Sequence, residues 1–348
     1  MGQRLGGKRA SMNEPKSFKQ KIVTFGGGTG QFHLLSGLRD LNENSLITAV
    51  AGSWDSGGSS GRLRTELGVL PPGDARRCIL ALMPDEKQRM VAQRLLDDRL
   101  EDVAGPLKGH SFGNLMTARL DNIYRGQDRG IEAELELFRV RAKVMPVSLT
   151  RVDLVAETAK GNQIMGETNI DHRVKDKNFD RKDRIVRIYF DTRADANPQV
   201  IKEIKEADKI VFAPGDLYTS VLPHLLVEAV REAIVKSKAK LIFVVNLATK
   251  PGETDTYKAS DFLKAFLFYL NAPGRLDYII VNTNHLEKEI LDIYEEEGQN
   301  LVGVDEEKIK KLEPKAKIVR KPVSVYLRKD HLLRHDPQKL ALAMLKLS

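Results

Sequence analysis

Residues 53–77 read SWDSGGSSGRLRTELGVLPPGDARR, a segment dense in groups that hold anions. Ser56, Gly57, Gly58, Ser59, Ser60 and Gly61 offer backbone N–H groups and hydroxyls in a turn able to cradle a phosphate. Arg62 and Arg64 follow at once, and Arg76 and Arg77 close the segment. A guanidinium matches phosphate oxygens with two parallel hydrogen bonds, so Arg62 and Arg76 are candidates to neutralise a diphosphate. Asp55 and Asp74 add carboxylates beside that phosphate, the usual setting for a bridging Mg²⁺. Each aspartate also suits a turn or a helix cap, Asp74 above all, because a helix is expected directly after it.

Four more polar loops carry similar chemistry. FGGGTGQ, residues 25–31, contains Gly26, Gly27, Gly28, Thr29 and Gly30. Glycines there let the backbone approach an anion, and the free N–H groups of a following helix would face it. The spacing is G-x-G-x-G, neither the dinucleotide G-x-G-x-x-G nor a P-loop. GHSFGN, residues 109–114, supplies His110, Ser111 and Asn114. APGDLYTS, residues 213–220, supplies Gly215, Leu217, Tyr218, Thr219 and Ser220. NLATKPGETD, residues 246–255, supplies Asn246. No G-x-S-x-G or other nucleophile–base arrangement identifies a catalytic group.

The elements that position these loops alternate. Residues 21–25 and 45–52 read as strands flanking the helical spacing of Phe32, Leu35 and Leu38. Helical patterns cover 75–99, a segment from Ser111 with an apolar stripe at Leu115, Ala118 and Ile123, and residues 131–144. Residues 150–170 read as two strands joined at Lys160, Gly161 and Asn162, followed by a charged loop and a strand at 183–190. Later come helices at 197–207, 222–237 and 260–270, strands at 209–215, 240–246 and 277–282, an acidic helical region at 284–317, a strand-like 317–323 and a closing helix from Asp336. The expectation is a three-layer, Rossmann-like α/β fold: a mostly parallel sheet, helices on both faces, and a β-hairpin insertion. In such a sheet the loops after the strands meet on one edge. Residues 1–20 are expected to form a disordered basic tail, and 21–348 a single domain.

Composition narrows the function. No run approaches the apolar length needed to span a bilayer, and the first twenty residues lack a signal peptide's apolar stretch. The single cysteine, Cys78, lies in an apolar helical stretch, which fits packing and a reducing, cytoplasmic setting. The net charge of +8 comes without basic runs interleaved with aromatics, so it fits a small polyanion better than nucleic acid. His331 and His335 in HLLRH have the spacing of zinc ligands on a helix face, but they lack the glutamate of H-E-x-x-H and a third ligand nearby. They read, with Arg334, as part of a basic end that could touch ligand phosphate.

GGGTG, DSGGSSGRLRTELGVLPPGD, GHSFGN, PGDLYTS and PGETD, in this order, make the chain resemble the YvcK/CofD-like family from about residue 20 to the end. The resemblance implies one of two activities. One branch is 2-phospho-L-lactate transferase, which uses Mg²⁺ and a guanylyl-activated donor. The other is the gluconeogenesis-factor branch, linked to UDP-N-acetylglucosamine and to cell-wall growth and cell shape on gluconeogenic carbon, and this chain resembles it more closely. That branch commonly carries paired aspartates where this chain has Asp55 and Ser56, and PGSLYTS where this chain has Asp216. The lost acid weighs against transferase chemistry. The expected protein is a cytosolic nucleotide-sugar-binding regulator, homo-oligomeric, acting through a protein partner, with Mg²⁺ as a candidate ion and no organic cofactor required.

Overall fold

The structure, a computed structural model, describes residues 20–41 and 45–348. The tail expected at residues 1–20 therefore lies outside the described residues, apart from Gln20.

Strand β1 (Gln20–Gly26) leads into helix α1 (Gly28–Leu41) and strand β2 (Ser45–Ala51). A helical stretch follows: α2 (Gly58–Leu67), α3 (Gly73–Leu82), α4 (Glu86–Asp97), α5 (Phe112–Tyr124) and α6 (Gln127–Leu137). Next come β3 (Lys143–Pro146), the hairpin β4 (Leu154–Thr158) and β5 (Gln163–Met165), α7 (Glu167–Asp171) and β6 (Ile185–Phe190). Alternation then resumes with α8 (Pro198–Glu206), β7 (Lys209–Phe212), α9 (Glu228–Lys236), β8 (Lys240–Val244), α10 (Ala259–Leu270) and β9 (Tyr278–Asn282). The chain ends with α11 (Lys288–Glu296), α12 (Glu306–Leu312), β10 (Lys317–Lys321), a hairpin of β11 (Ser324–Leu327) and β12 (Leu332–His335), and α13 (Pro337–Leu345).

Seven strands form one parallel sheet in the order β10-β9-β8-β7-β1-β2-β3. Its strands are apolar on both faces, as burial between two helical layers requires. Alternate residues sort cleanly. Ile22, Ala49, Val211 and Ile242 pack with α1, α3 and α13, whereas Val23, Val50, Phe212 and Phe243 pack with α8, α9 and α10. The three-layer arrangement expected from the sequence is thus present.

Local details differ where one residue overrides a pattern. The helix expected over 75–99 is two helices, because Pro84 cannot continue the first and Asp85 caps the second by accepting from the Gln88 N–H at 2.7 Å. The helix expected over 222–237 begins as a π turn at Leu217–Val221 and a 3-10 turn at Leu222–Leu226 containing Pro223, and becomes α-helical only at Glu228. Residues 143 and 144, expected to close a helix, instead open edge strand β3 beside β2. The buried face of α5 is Gly113, Asn114, Thr117, Ala118 and Asp121, while Ile123 is exposed. The expected hairpin insertion is a three-stranded antiparallel sheet, β5-β4-β6, whose Leu154, Ala156, Ile185 and Ile188 join the same core as α8–α10. HLLRH is not helical. Residues 332–335 pair antiparallel with β11, and His331 takes a left-handed turn conformation (φ 52°), so the two histidines do not share a helix face.

Candidate functional site

Strands β1 and β7 are neighbours, but their chains leave in opposite directions. The path from β1 crosses to β2 through α1 on one face, and the path from β7 reaches β8 through α9 on the other. An open α/β sheet forms its ligand crevice outside the carboxyl ends of strands at such a switch point. A cleft of ≈ 650 Å³ lies there. Its walls are the glycine loop, residues 214–216 with Ser220, residues 246–251, and the Tyr294 and Arg334 regions of α11 and β12.

The glycine loop is shaped by close approach. A Cβ on Gly30 would fall on the Pro214 carbonyl, so only glycine lets α1 start against the 213–220 loop. The first helical amides have no partner further back in the helix, and their residues, Gly28, Thr29 and Gly30, line the crevice. Gly28 N–H is held by Asp74 Oδ1 at 2.8 Å. Asn246 braces the facing loop, donating Nδ2–H to the Gly215 carbonyl at 2.7 Å. Arg77 donates to Thr29 Oγ1 at 2.7 Å, and Arg77, Arg334 and Lys250 bring positive charge to the walls. His33, also in the wall, is held below its ordinary pKa by burial and then by Arg334 and Arg77.

Of the candidate residues, Gly27, Gly28, Thr29, Gly30, Asp74, Gly215, Ser220 and Asn246 line this one cleft. Gly26 ends β1 beneath it. Others serve a buried network that fixes α2, α3 and α5 together. Ser59 Oγ meets His110 Nδ1 at 3.0 Å and accepts from Ser111 N–H, while Asn114 donates to Ser60 Oγ at 3.1 Å. Arg76 is buried, and its guanidinium is committed to Asn114 Oδ1, the Leu96 carbonyl and Asp97 at 2.6 Å. Arg64 is likewise engaged by Asp153 and the Val152 carbonyl. Arg62 donates to the carbonyls of Lys108 and Pro106, and with Ser56, Gly58 and Gly61 it borders a separate, shallow hollow. Gly57 N–H is bound by Asp55 Oδ1 at 2.8 Å. Leu217 and Tyr218 are buried in the core, the Tyr218 hydroxyl against that of Tyr257, and the Thr219 carbonyl accepts from the Trp54 indole at 2.7 Å. The arginine of this segment that lines the cleft is Arg77, one residue beyond the expected one.

Two groups of carboxylates flank the cleft. Asp74 is pushed up to about 7 by burial and by Asp55, and burial raises Asp55 as well. No local pattern signals a third member, Glu167, which opens α7 after the inserted hairpin and is pushed up to about 7 by burial, Asp55 and Asp74. Among the described residues no lysine or arginine forms an ion pair with these three acids. They are hard oxygen donors of the kind Mg²⁺ takes, partly offset by Arg64, Arg77 and Lys250, but their oxygens do not gather within 4.8 Å of one another, so they form no ready-made cage for the ion. In the second group Asp171, Asp216 and Glu253 bring carboxylate oxygens within 4.8 Å of one another. There Lys250 is the resident cation, contacting Asp171, Asp216 (2.7 Å) and Glu253 (3.3 Å). Cys78 is buried, its thiol pushed up by that burial, as a packing role requires.

Residues 22–323 match the family model described as 2-phospho-L-lactate transferase CofD. The chain belongs to the CofD family. Within it, the chain is 37% identical to the gluconeogenesis factor of Bacillus subtilis, over 93% of this chain and 96% of that protein. It is 38% identical to the gluconeogenesis factor of Halalkalibacterium halodurans, over 94% and 96% of the two chains. A crystal structure of a UPF0052 family member from Bacillus halodurans superposes with a TM-score of 0.85 at 36% identity, covering 94% of this chain and all of that one. These CofD-family relatives place the chain with the gluconeogenesis factors rather than with a transferase by name.

Proposed function

We propose that this gluconeogenesis-factor relative is a cytosolic regulator that binds a nucleotide sugar of the UDP-N-acetylglucosamine type in the switch-point cleft. The observation that carries this reading is one cleft lined together by the first-turn residues of α1, Arg77 and Arg334. Backbone N–H groups at a helix start, aided by the helix dipole, favour a diphosphate, and the two arginines complement its charge. Leu247, Ala248, Tyr294 and Leu333 give the farther wall an apolar surface suited to a base or sugar face. In this reading ligand occupancy reports wall-precursor supply to a partner protein, and so couples gluconeogenic growth to cell shape.

The test is calorimetric titration with UDP-N-acetylglucosamine and with GDP, with and without Mg²⁺, followed by recovery of the ligand. Selective binding of the uridine sugar, recovered intact, is the expected result. A second reading is favoured by the trio of Asp55, Asp74 and Glu167. Their oxygens are not gathered for a shared ion as they stand, so Mg²⁺, which would supply charge neutralisation for a transferring phosphate group, would have to draw them together. GDP preference with an absolute Mg²⁺ requirement would replace the regulator by a phospho-acid transferase.

A further inference from the structure

His33 lies on α1 one turn beyond Thr29, on the same side of the helix, and both residues line the cleft. Its ring is half-buried and meets the edge of Phe32, with ring centroids 6.0 Å apart. Among the described residues neither ring nitrogen has a hydrogen-bond or ion-pair partner. Two cations reach it from different elements. Arg77 of α3, which also donates to Thr29 Oγ1, and Arg334 of β12 both act on the ring through their charge and line the same wall. The other charged or titratable groups on the elements packed against this part of α1 are Asp74 on α3, His335 on β12, and Asp336, paired with Lys339, at the start of α13. Asp74 is turned to the Gly28 N–H, and burial pushes His335 down to about 3, so it stays neutral.

We infer that His33 is a further contact for the ligand's diphosphate and takes up a proton as that anion binds. This deepens the nucleotide-sugar reading and rests on it. The reason is electrostatic. Burial, then Arg334 and Arg77, hold the ring below its ordinary pKa, so by themselves they favour its neutral form. A diphosphate brings two negative charges among the same groups and reverses the balance. The ring then takes a proton from bulk solvent and donates it in a charge-assisted hydrogen bond to a phosphate oxygen. Binding and protonation are thereby linked. Affinity rises as pH falls through the value His33 has in the complex, and levels off below the value it has in the free protein.

The experiment is calorimetric titration with UDP-N-acetylglucosamine at about pH 6 and about pH 8, in buffers of different ionisation heat, for wild type, His33→Gln and His33→Lys. The ligand's diphosphate is esterified at both ends and lacks the proton that a phosphate monoester titrates near pH 6, so any proton uptake belongs to the protein. Asp74 and Asp216, pushed up to about 7 and about 8, can add to it, so the assignment rests on the difference between wild type and variant. Wild type should bind about 10-fold more tightly at the lower pH. His33→Gln should match wild type at the higher pH, lose most of the gain at the lower one, and take up fewer protons. His33→Lys, charged throughout, should bind at the higher pH nearly as tightly as wild type does at the lower. A His33→Gln protein that takes up as many protons as wild type, or loses affinity equally at both pH values, overturns the assignment alone. Wild-type protein that binds no nucleotide sugar at either pH overturns the cleft reading and this assignment with it.

Discussion

The two carboxylate trios sit on the same rim and differ in one respect. Asp171, Asp216 and Glu253 surround Lys250, whereas Asp55, Asp74 and Glu167 surround no lysine or arginine of their own. The first trio is a finished structural unit that ties the inserted segment, the 213–220 loop and the 246–254 loop together. Burial raises acids in both trios, Asp216 to about 8 in the first and Asp74 and Glu167 to about 7 in the second. In the second the only cationic offsets are the more distant charges of Arg64, Arg77 and Lys250, so a proton or an added cation relieves it further. The contrast therefore separates a scaffold from a site. It breaks most visibly at Lys250. Lys250→Met should destabilise the protein by about 2–4 kcal/mol, because it strands three acids, one of them fully buried. Urea unfolding at neutral pH reads this directly, and a loss below about 1 kcal/mol would show that Lys250 is not the keystone of its trio.

At the other trio the same logic predicts a binding effect. Asp74→Asn keeps an acceptor for the Gly28 N–H but removes a charge. If Mg²⁺ completes this trio, its affinity, measured by calorimetry in the presence of nucleotide sugar, should fall by more than the about 10–100-fold typical of an outer-sphere partner. Wild-type protein with no measurable Mg²⁺ binding would leave a proton as the trio's only relief.

A pair of acids outside the switch-point cleft shows what burial does. Asp121 and Glu134 lie between α5 and α6, both pushed up to about 7. Burial leads in each, followed by Glu134 and Asp128 for Asp121, while Thr117 and Arg76 partly offset the rise at Glu134. Both Asp121 oxygens are buried without partners. A carboxyl whose folded pKa lies above its unfolded value binds more protons folded than unfolded. Its destabilising effect therefore grows as pH rises from about 4 and is complete above about 7. Asp121→Asn should stabilise the protein by on the order of 2 kcal/mol at pH 8, and by clearly less at pH 5. Denaturation at the two pH values checks the sign, and a gain independent of pH would point to packing instead.

The sheet was legible because its strands are buried on both faces and announce themselves as short apolar runs ending in glycine or polar loops. Gly27 to Gly30, Gly215 and Asn246 meet in one cleft because each follows a parallel strand, so sequence position alone set the edge they share. What failed to be legible was phase and distance. Arg76 and Arg77 are adjacent on α3, about 100° apart around the helix, and packing turns one toward Asn114 and Asp97 and the other toward Thr29. Composition cannot choose between them. Glu167 and Asp171 reach the rim from an inserted sheet more than 90 residues after Asp74 in the chain, a pairing no local pattern encodes. β12 is only four residues long and partly exposed, so its histidine spacing imitated a helix.

The smallest effect should come from Asp216, whose carboxylate is 42% exposed at the edge of the Lys250 trio. Asp171 and Glu253 still hold Lys250 if it is removed, and a partly exposed ion pair contributes little. Asp216→Ser should thus change stability by less than about 1 kcal/mol. Its effect on the ligand has a definite sign. Asp216 lines the cleft beside Gly215 and Ser220, where its charge opposes a diphosphate and competes for Lys250. Removing it should tighten nucleotide-sugar binding a few-fold, and the gain should shrink as salt screens the lost charge. A weaker affinity would instead mean that Asp216 contacts the ligand itself, and that the Lys250 trio belongs to the site as much as to the scaffold.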